Sequence, residues 1–476
     1  MGILSQPLPS YSGKYKVGTL DLELPVPHES FGTALRKGTT QPALFVSLRL
    51  DPLRPAFCTE TKGTGSRAPW ASRPINGLAD GYAHFSNKSK WLIRSAFWIL
   101  ASRTYIPAYV GSALAEKDVG EEKDDSGAAF PVVVFSHGLG GTRTTYSQYC
   151  GELASQGNIV LAVESRDGSG PTSTITQDDG AKRVSLVRKP LTRAYPSTQV
   201  SPCKQVVQYY RPDDIGFKAG DPELSQIGFR KEQLVMRLAE IKATLEIARR
   251  INDGEGQSIA LQNRRKPKGT PDGGILMWKD RLNMSNIVMA GHSFGGATTI
   301  QALRAGDVFP FTRGILLDPW VDAIPPVPKS TDPSASQSDL PQEAGRDIDV
   351  PVLVINSEAF TVWSSHFRVV REIVRAVKAD AWFSTLVGSV HLSFSDVPII
   401  LPFFAKKSGA RVVSTEAMNQ FVEVSVEFLS GKGRDGAILG GRVRQGDEDG
   451  TRLGEGEGKG MEPVGEMRLH FVPKNE

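Results

Sequence analysis

Cysteine is scarce in this chain: Cys58, Cys150 and Cys203 in 476 residues. Three scattered thiols supply neither a disulfide framework nor a zinc-ligand set, and they suit a reducing, cytoplasmic setting. Net charge is nearly absent as well, at +4, so nucleic acid is not indicated as a partner and only a weak preference for anionic surfaces follows. No stretch reads as membrane-spanning. The strongest candidate, Lys90–Leu100, is far too short and is interrupted by Arg94. The first residues lack a basic segment followed by an apolar core, so no secretory signal is expected. Gln6 stands where a myristoylation pattern needs Ser or Thr, and without export the glycosylation sequons at Asn87 and Asn283 carry little weight. Metal-ligand clusters and nucleotide-binding glycine loops are missing too, and no cofactor or metal is expected. What remains is a soluble globular composition, 39% hydrophobic, 23% charged and 8% aromatic, enough for one large α/β domain with insertions or for two domains.

The stretch Asn286-Ile287-Val288-Met289-Ala290-Gly291-His292-Ser293-Phe294-Gly295-Gly296-Ala297 organises the rest. A β-forming run enters Gly-x-Ser-x-Gly and a small-residue helix start follows, the strand–turn–helix context of a nucleophile elbow. Such a turn strains the serine backbone and needs small neighbours, which Gly291 and Gly295 provide, while Gly296 lets helix and strand pack closely. Ser293 Oγ would then stand at a helix N-terminus, where developing negative charge is stabilised.

Residues 1 to about 60 read as short strands and turns, suited to an antiparallel sheet edge. Lys90–Leu100 reads as an amphipathic helix: packing on the domain is the favoured reading, and peripheral contact with lipid or a roof over the active site is the alternative. Glu116 to Asp125 is acidic and expected to be exposed. Phe130–Ser136 is a buried parallel strand, followed by His137-Gly138-Leu139-Gly140, a turn that in hydrolases of this type carries an oxyanion donor; for His137 itself a role in shaping the loop is favoured. A helix near Tyr146–Gln156 and a strand Ile159–Val163 complete a βαβ unit. Residues 168 to 226 form an excursion. Phe229–Ile251 is a helix, with Leu234, Leu238, Ile241, Leu245 and Ala248 at spacings of three and four. Residues 252–274, with Arg264-Arg265-Lys266-Pro267-Lys268, read as a solvated insertion, and 323–349 as a surface loop. Strands Gly314–Leu317, Val350–Asn356 and Trp382–Val387 alternate with helices Phe367–Val377 and Ser414–Leu429. The last 46 residues hold 12 glycines and charges of both signs and are expected to be a largely disordered tail, 431–476, behind a single domain over 1–430.

The order Ser293, Asp318, His391 is the nucleophile–acid–base order of α/β hydrolases, each at the end of a strand and hence above one sheet edge. A serine needs a neutral imidazole to take its proton, and a carboxylate holds that imidazole's tautomer. Among the other histidines, His292 is expected to face away along the elbow, His366 to start a helix, His28 and His84 to precede the core and His470 to lie in the tail. Glu358, after the next strand, is a second candidate acid. The short side chain of Asp318 at the very end of its strand favours the aspartate.

Several motifs in this order carry a resemblance: Phe135-Ser136-His137-Gly138-Leu139-Gly140, Arg143-Thr144-Thr145-Tyr146-Ser147, Val163-Glu164-Ser165-Arg166-Asp167, Gly291-His292-Ser293-Phe294-Gly295-Gly296-Ala297-Thr298, Leu317-Asp318-Pro319-Trp320, Ile355-Asn356-Ser357-Glu358 and Gly388-Ser389-Val390-His391. From about Tyr105 to Phe404 the chain resembles the plasma and intracellular type II platelet-activating factor acetylhydrolases, calcium-independent lipases of the α/β-hydrolase fold. The resemblance implies a mostly parallel sheet flanked by helices. It also implies Ser293, Asp318 and His391 as the triad, an oxyanion hole from the N–H groups of Leu139 and Phe294, and Trp320 in the acyl pocket. Pro319 departs from the family by replacing an expected small residue, and the basic insertion and glycine-rich tail have no counterpart in it. The implied reaction is removal of short or oxidised sn-2 acyl chains from a phospholipid substrate. The rivals are a general carboxylesterase or polyester hydrolase of the same fold and a catalytically silent binding protein. No signal for oligomeric state is present.

Overall fold

The structure is a computed structural model. It describes residues 5–26, 29–37, 42–45, 48–56, 66–116, 129–176, 204–216, 225–265, 274–324, 347–445, 447–450 and 464–473. Strands β1 (Lys16–Thr19), β2 (Leu22–Leu24), β3 (Ser30–Arg36), β4 (Pro42–Phe45), β5 (Leu48–Ala56) and β6 (Arg67–Pro69) come first, then helices α1 (Ile75–Ser86) and α2 (Lys90–Leu100) and strand β7 (Tyr105–Val110). The middle of the chain adds β8 (Phe130–Ser136), α3 (Ser147–Ser155), β9 (Ile159–Val163), β10 (Thr172–Thr176), β11 (Lys204–Gln208), β12 (Ile215–Gly216), α4 (Gln226–Arg250) and α5 (Gly256–Gln262). β13 (Leu282–His292), α6 (Phe294–Arg304), β14 (Arg313–Leu317), β15 (Val352–Ser357), α7 (Glu358–Thr361), α8 (Ser364–Arg375) and β16 (Ala381–Leu386) follow. The chain closes with α9 (Val397–Ile400), α10 (Pro402–Lys407), α11 (Ser414–Leu429) and β17 (Met467–Phe471).

Twelve of these strands form one sheet in the order β17-β16-β15-β14-β13-β8-β9-β5-β1-β7-β6, with β2 paired to β5. The run β16 to β9 is parallel throughout, and β17 and β5 flank it antiparallel. Parallel strands are apolar on both faces because helices cover both. Val132 and Val134 of β8 belong to one core layer with Leu234, Ile241 and Leu245 of α4 and Ile300 of α6, whereas Val133 and Phe135 belong to the other with Tyr149 and Leu153 of α3 and Phe421 of α11. The same alternation recurs in β13, with Ile287 and Met289 on one side and Val288 and Ala290 on the other. From β8 the chain winds through α3 to β9 on one side, then returns to lay β13 on the other side of β8. The carboxyl ends of β8 and β13 therefore bound a topological switch point, where open α/β sheets place their ligands.

Two expectations are corrected. The segment after 430 is not a structureless tail over its described part: β17 pairs with β16 through Leu386↔Met467, Thr385↔Arg468 and Ser384↔Leu469. The alternation Met467-Arg468-Leu469-His470-Phe471 suits an edge strand, and the surrounding glycines and charges masked it. Residues 252–265 are likewise not a solvated loop. They form a π-type turn and α5, because Ile251, Ile259 and Ala260 bury against the core, and Arg264 and Arg265 turn inward to Thr176 O at 2.7 Å and Glu23 at 2.6 Å. Of the expected surface loop 323–349, the acidic run 116–125 and the basic insertion 252–274, residues 325–346, 117–125 and 266–273 lie outside the described residues.

Candidate active site

Ser293 stands between β13 and α6 at φ 56° and ψ −116°, a positive φ that costs a non-glycine residue energy and persists only where the surroundings impose it. Its N–H donates to Leu317 O and its own carbonyl accepts from Trp320 N–H, both at 2.9 Å, so the end of β14 clamps the turn. The glycines are steric necessities. A Cβ on Gly291 would lie 2.2 Å from Gly295 O, and one on Gly295 would lie 1.9 Å from Ser136 O. Gly296 receives Pro319, whose Cα would be 2.7 Å from a Cβ there; the proline that departs from the family pattern fits because its neighbour has no side chain.

His391, on the turn after β16, reaches Ser293 Oγ with Nε2 at 3.0 Å and Asp318 Oδ2 with Nδ1 at 2.9 Å. Asp318 is fully buried, and its two oxygens also accept Ser357 N–H at 2.5 Å and Ser357 O–H at 2.6 Å. A carboxylate offers only acceptors, so these bonds assign the His391 proton to Nδ1 and leave Nε2 to receive the serine hydroxyl. Glu358 bonds elsewhere, accepting Gly388 N–H at 2.5 Å and pairing with Arg411. Ser293, His391 and Asp318 thus form one hydrogen-bonded line, and Glu358 buttresses the loop beside it.

The His391 ring is sandwiched. Phe360 lies on one side, parallel within 2° at 4.2 Å, and His292 packs against it at 4.4 Å. His292 therefore does not face away from the serine. It tucks under the turn because Gly138 leaves room, a Cβ there falling 3.1 Å from His292 Nδ1, and because Tyr146 OH meets Nδ1 at 2.9 Å. Burial, then the neighbouring His391, hold His292 well below the ordinary imidazole pKa, so it stays neutral. His292, Asp318 and His391 each bring a possible ligand atom within 4.8 Å.

The Gly138 loop closes against the serine, with Gly138's missing Cβ only 2.9 Å from Ser293 Cβ. Leu139 follows Gly138 in the chain and Phe294 follows the serine, and the Trp320 ring lies 5.8 Å from that of Phe294. His137 is internal: Nδ1–H donates to Gly138 O at 2.8 Å and Nε2 accepts Ser165 N–H at 3.1 Å. Burial, reinforced by Arg237, lowers its pKa to about 4. Arg237 of α4 gathers the loop from below. It donates to His137 O at 2.7 Å, Ser169 Oγ at 2.6 Å and Asp167 Oδ2 at 2.9 Å, and its guanidinium lies 4.5 Å over the Phe294 ring. The sequence does hold a signal for it: a charged residue three after Leu234 and four before Ile241, on the buried side of α4. Ser357 and Phe360 offered no such signal, since only the tertiary fold brings them to Asp318 and His391.

A second ion cluster lies beside the loop. Arg49 and Arg143 share Asp21 and Glu164, with distances of 2.7 to 3.0 Å, and Arg166 and Arg265 share Glu23. Burial alone would raise the Glu164 carboxyl, but Arg49 and Arg143 outweigh it and hold the group well below its usual value.

α2 packs on α1, in line with the favoured expectation, while leaving several large apolar side chains exposed. It touches α1 through Phe97 stacked on Tyr82 at 5.3 Å, Arg94 on Asp80 and Trp98 Nε1–H to Asn76. None of its residues is buried, and Trp91, Leu92, Trp98 and Ile99 are 77%, 53%, 55% and 74% exposed. Among the described residues no helix is long and apolar enough to cross a membrane.

A mostly parallel sheet flanked by helices, with a serine elbow at its switch point, defines an ester hydrolase of the α/β-hydrolase class. The family model described as platelet-activating factor acetylhydrolase, isoform II, matches residues 3–437, and the chain belongs to that family. A platelet-activating factor acetylhydrolase of Gallus gallus is 32% identical over 375 residues, 78% of this chain and 74% of that protein. A putative phospholipase A2 of Schizosaccharomyces pombe is 28% identical over 459 residues, 89% of this chain and 91% of that protein. Among solved structures, a ferulic acid esterase from Streptomyces cinnamoneus is similar at a TM-score of 0.49 and 16% identity, over 93% of this chain and 97% of that one.

Proposed function

We propose that this chain removes short or oxidised sn-2 acyl chains from phospholipids, without a metal ion, through an acyl-enzyme on Ser293. The observation that carries this reading is the line Asp318 Oδ2–His391–Ser293 Oγ, at 2.9 and 3.0 Å, in a chain of this family. His391 Nε2 takes the serine proton as Oγ attacks the ester carbonyl, and Asp318 stabilises the imidazolium. The carbonyl oxygen gains negative charge and is met by the N–H groups of Leu139 and Phe294. Collapse breaks the ester bond, and His391 returns the proton to the leaving lysophospholipid oxygen. Water then gives a proton to Nε2, attacks the acyl carbon and frees Ser293 and a carboxylate.

Trp320, whose ring lies 5.8 Å from that of Phe294, is the residue that the family resemblance places in the acyl pocket. The exposed Trp91, Leu92, Trp98 and Ile99 suit a helix that lies in a bilayer interface with its apolar side down, so lipid is met at a membrane surface from the aqueous side. Cytoplasm with peripheral membrane contact is the setting that this helix and the scarcity of cysteine favour. Ser293→Ala, folded by circular dichroism, is expected to lose activity on an acyl-length series of sn-2 phospholipids by about 10⁶, the scale for removal of a triad nucleophile. A purified variant that kept a tenth of the activity would overturn the assignment. Equal rates on all acyl lengths and on simple aryl esters would favour a general carboxylesterase.

A further inference from the structure

The family model ends at residue 437, yet the strand beyond it is bonded to the one that delivers His391. β17 runs antiparallel to β16, and its register shifts between Phe383 and Ser384, so that His470 is the extra residue of a bulge. Bulges re-aim side chains, and His470 is turned fully inward, 2% exposed. Its Nδ1 contacts Asp447 O and its Nε2 lies 2.7 Å from Thr385 Oγ1. Thr385 Oγ1 in turn lies 2.5 Å from Thr361 Oγ1.

These partners permit one direction of donation in the neutral state. A carbonyl only accepts, so Nδ1 carries the proton and Nε2 accepts from Thr385, whose oxygen then accepts from Thr361. Burial lowers His470 to a pKa of about 4, which keeps the ring in this state at neutral pH. The far end of the chain of bonds is the active site. Thr361 is the last residue of α7, and its neighbour Phe360 is the ring stacked on His391. At the other end of α7, Glu358 accepts Gly388 N–H, three residues before His391. The same C-terminal segment grips this loop directly: Val387 N–H donates to Glu466 O and Gly465 N–H donates to Val387 O, both at 3.0 Å.

We propose that the C-terminal segment is a positioning element for His391, with His470 as the residue that locks α7 and its Phe360 to β16 through Thr385 and Thr361. The proposal rests on the reading of His391 as the base. Misplacement of a reacting group by about 1 Å costs on the order of a hundredfold in rate, and a parallel ring contact on one face of the imidazole is the kind of restraint whose loss allows that shift.

Thr385→Val keeps the side-chain shape but deletes the hydroxyl, His470→Leu removes the ring, and Thr385→Ser restores the bond. With a soluble short-acyl ester, well below the unfolding temperature, Thr385→Val and His470→Leu are expected to lose about 10- to 100-fold in kcat with KM little changed. Labelling of Ser293 by a fluorophosphonate should slow in parallel, because it needs the same proton removal, and Thr385→Ser should recover both. Folded Thr385→Val and His470→Leu proteins with kcat and labelling within about twofold of the parent would overturn the proposal, as would a loss confined to KM. Ser293→Ala and His391→Ala in the same series separate the two questions. Activity retained by those variants removes the base itself; their silence beside a fully active Thr385→Val removes only the positioning role.

Discussion

Replacing Asp318 by asparagine tests which acid serves His391. Asp318 Oδ1 accepts Ser357 N–H, and Oδ2 accepts both Ser357 O–H and His391 Nδ1–H. The backbone donor cannot rotate, so the introduced amide would keep its carbonyl oxygen on Ser357 N–H and turn its NH₂ toward the other two. The serine hydroxyl can swing to accept one of those hydrogens. His391 cannot do so while Nδ1 is protonated, and it shifts its proton to Nε2, which faces Ser293 Oγ at 3.0 Å. The base then presents a hydrogen where it needs a lone pair. In the worked protease triad this exchange costs about 10⁴ in kcat, or roughly 5.5 kcal/mol of barrier at about 1.4 kcal/mol per decade, and a similar loss is expected here with unchanged folding. Glu358→Gln is the control. A glutamine oxygen can still accept Gly388 N–H, and the half-exposed Arg411 loses only a partly solvated partner, so the expected loss is about tenfold or less. Steady-state kinetics of both variants on one soluble ester decide the matter. A mild effect at Asp318 beside a large one at Glu358 would refute the reasoning.

Three further outcomes are expected. EDTA should leave hydrolysis of a short-acyl phospholipid unchanged, since charge on the oxyanion is met by backbone N–H groups; loss of activity that calcium restores would contradict this. Trp91→Ser combined with Trp98→Ser should weaken sedimentation with liposomes while soluble-ester hydrolysis persists, and a parallel loss of both would mean that α2 is a structural helix instead. Relative to His470→Leu, the parent should lose roughly 2 kcal/mol more stability between pH 7 and pH 5, because the unfolded chain protonates this histidine near 6.5 whereas in the fold it takes a proton only at about 4, while the buried Glu240 and Asp396 carboxyls, raised to about 8 and about 7, act in the opposite sense in both proteins; denaturant midpoints that shift alike in parent and variant would exclude it.

Much of the fold is legible in the sequence because parallel strands buried on both faces leave continuous apolar runs such as Phe130–Phe135 and Ile159–Val163, and because α4 repeats its leucines at helical spacing. Ser293 is legible through the glycines that its backbone requires. The preference for Asp318 over Glu358 comes from strand position, and the hydrogen bond to His391 is made by Asp318. What stays hidden depends on neighbours distant in the chain. His292 reads as outward-facing because no local rule reveals that Gly138 and Tyr146 fold over it. β17 is lost among glycines and charges, since five residues of alternating pattern carry little signal until an edge strand is there to pair with them. The exposure of α2 is undecidable from its periodicity, which reads alike for a helix packed on protein and one facing lipid.

The ion cluster around Asp21 and Glu23 sets where the smallest working form of this protein can begin. Two of its acids, Asp21 and Glu23, come from the β1–β2 region, and their cations include Arg143, in the segment that joins the Gly138 loop to α3, and Arg166 beyond β9. Trimming the amino terminus past Leu24 would take Glu23 from the buried Arg166 and Asp21 from Arg143, which keeps Glu164, a far more damaging change than never having buried them. The beginning of the chain, remote in sequence from Ser293 and peripheral in the sheet, is in this sense a part of the active site's foundation, and a protease that nicked it would act as an inactivator.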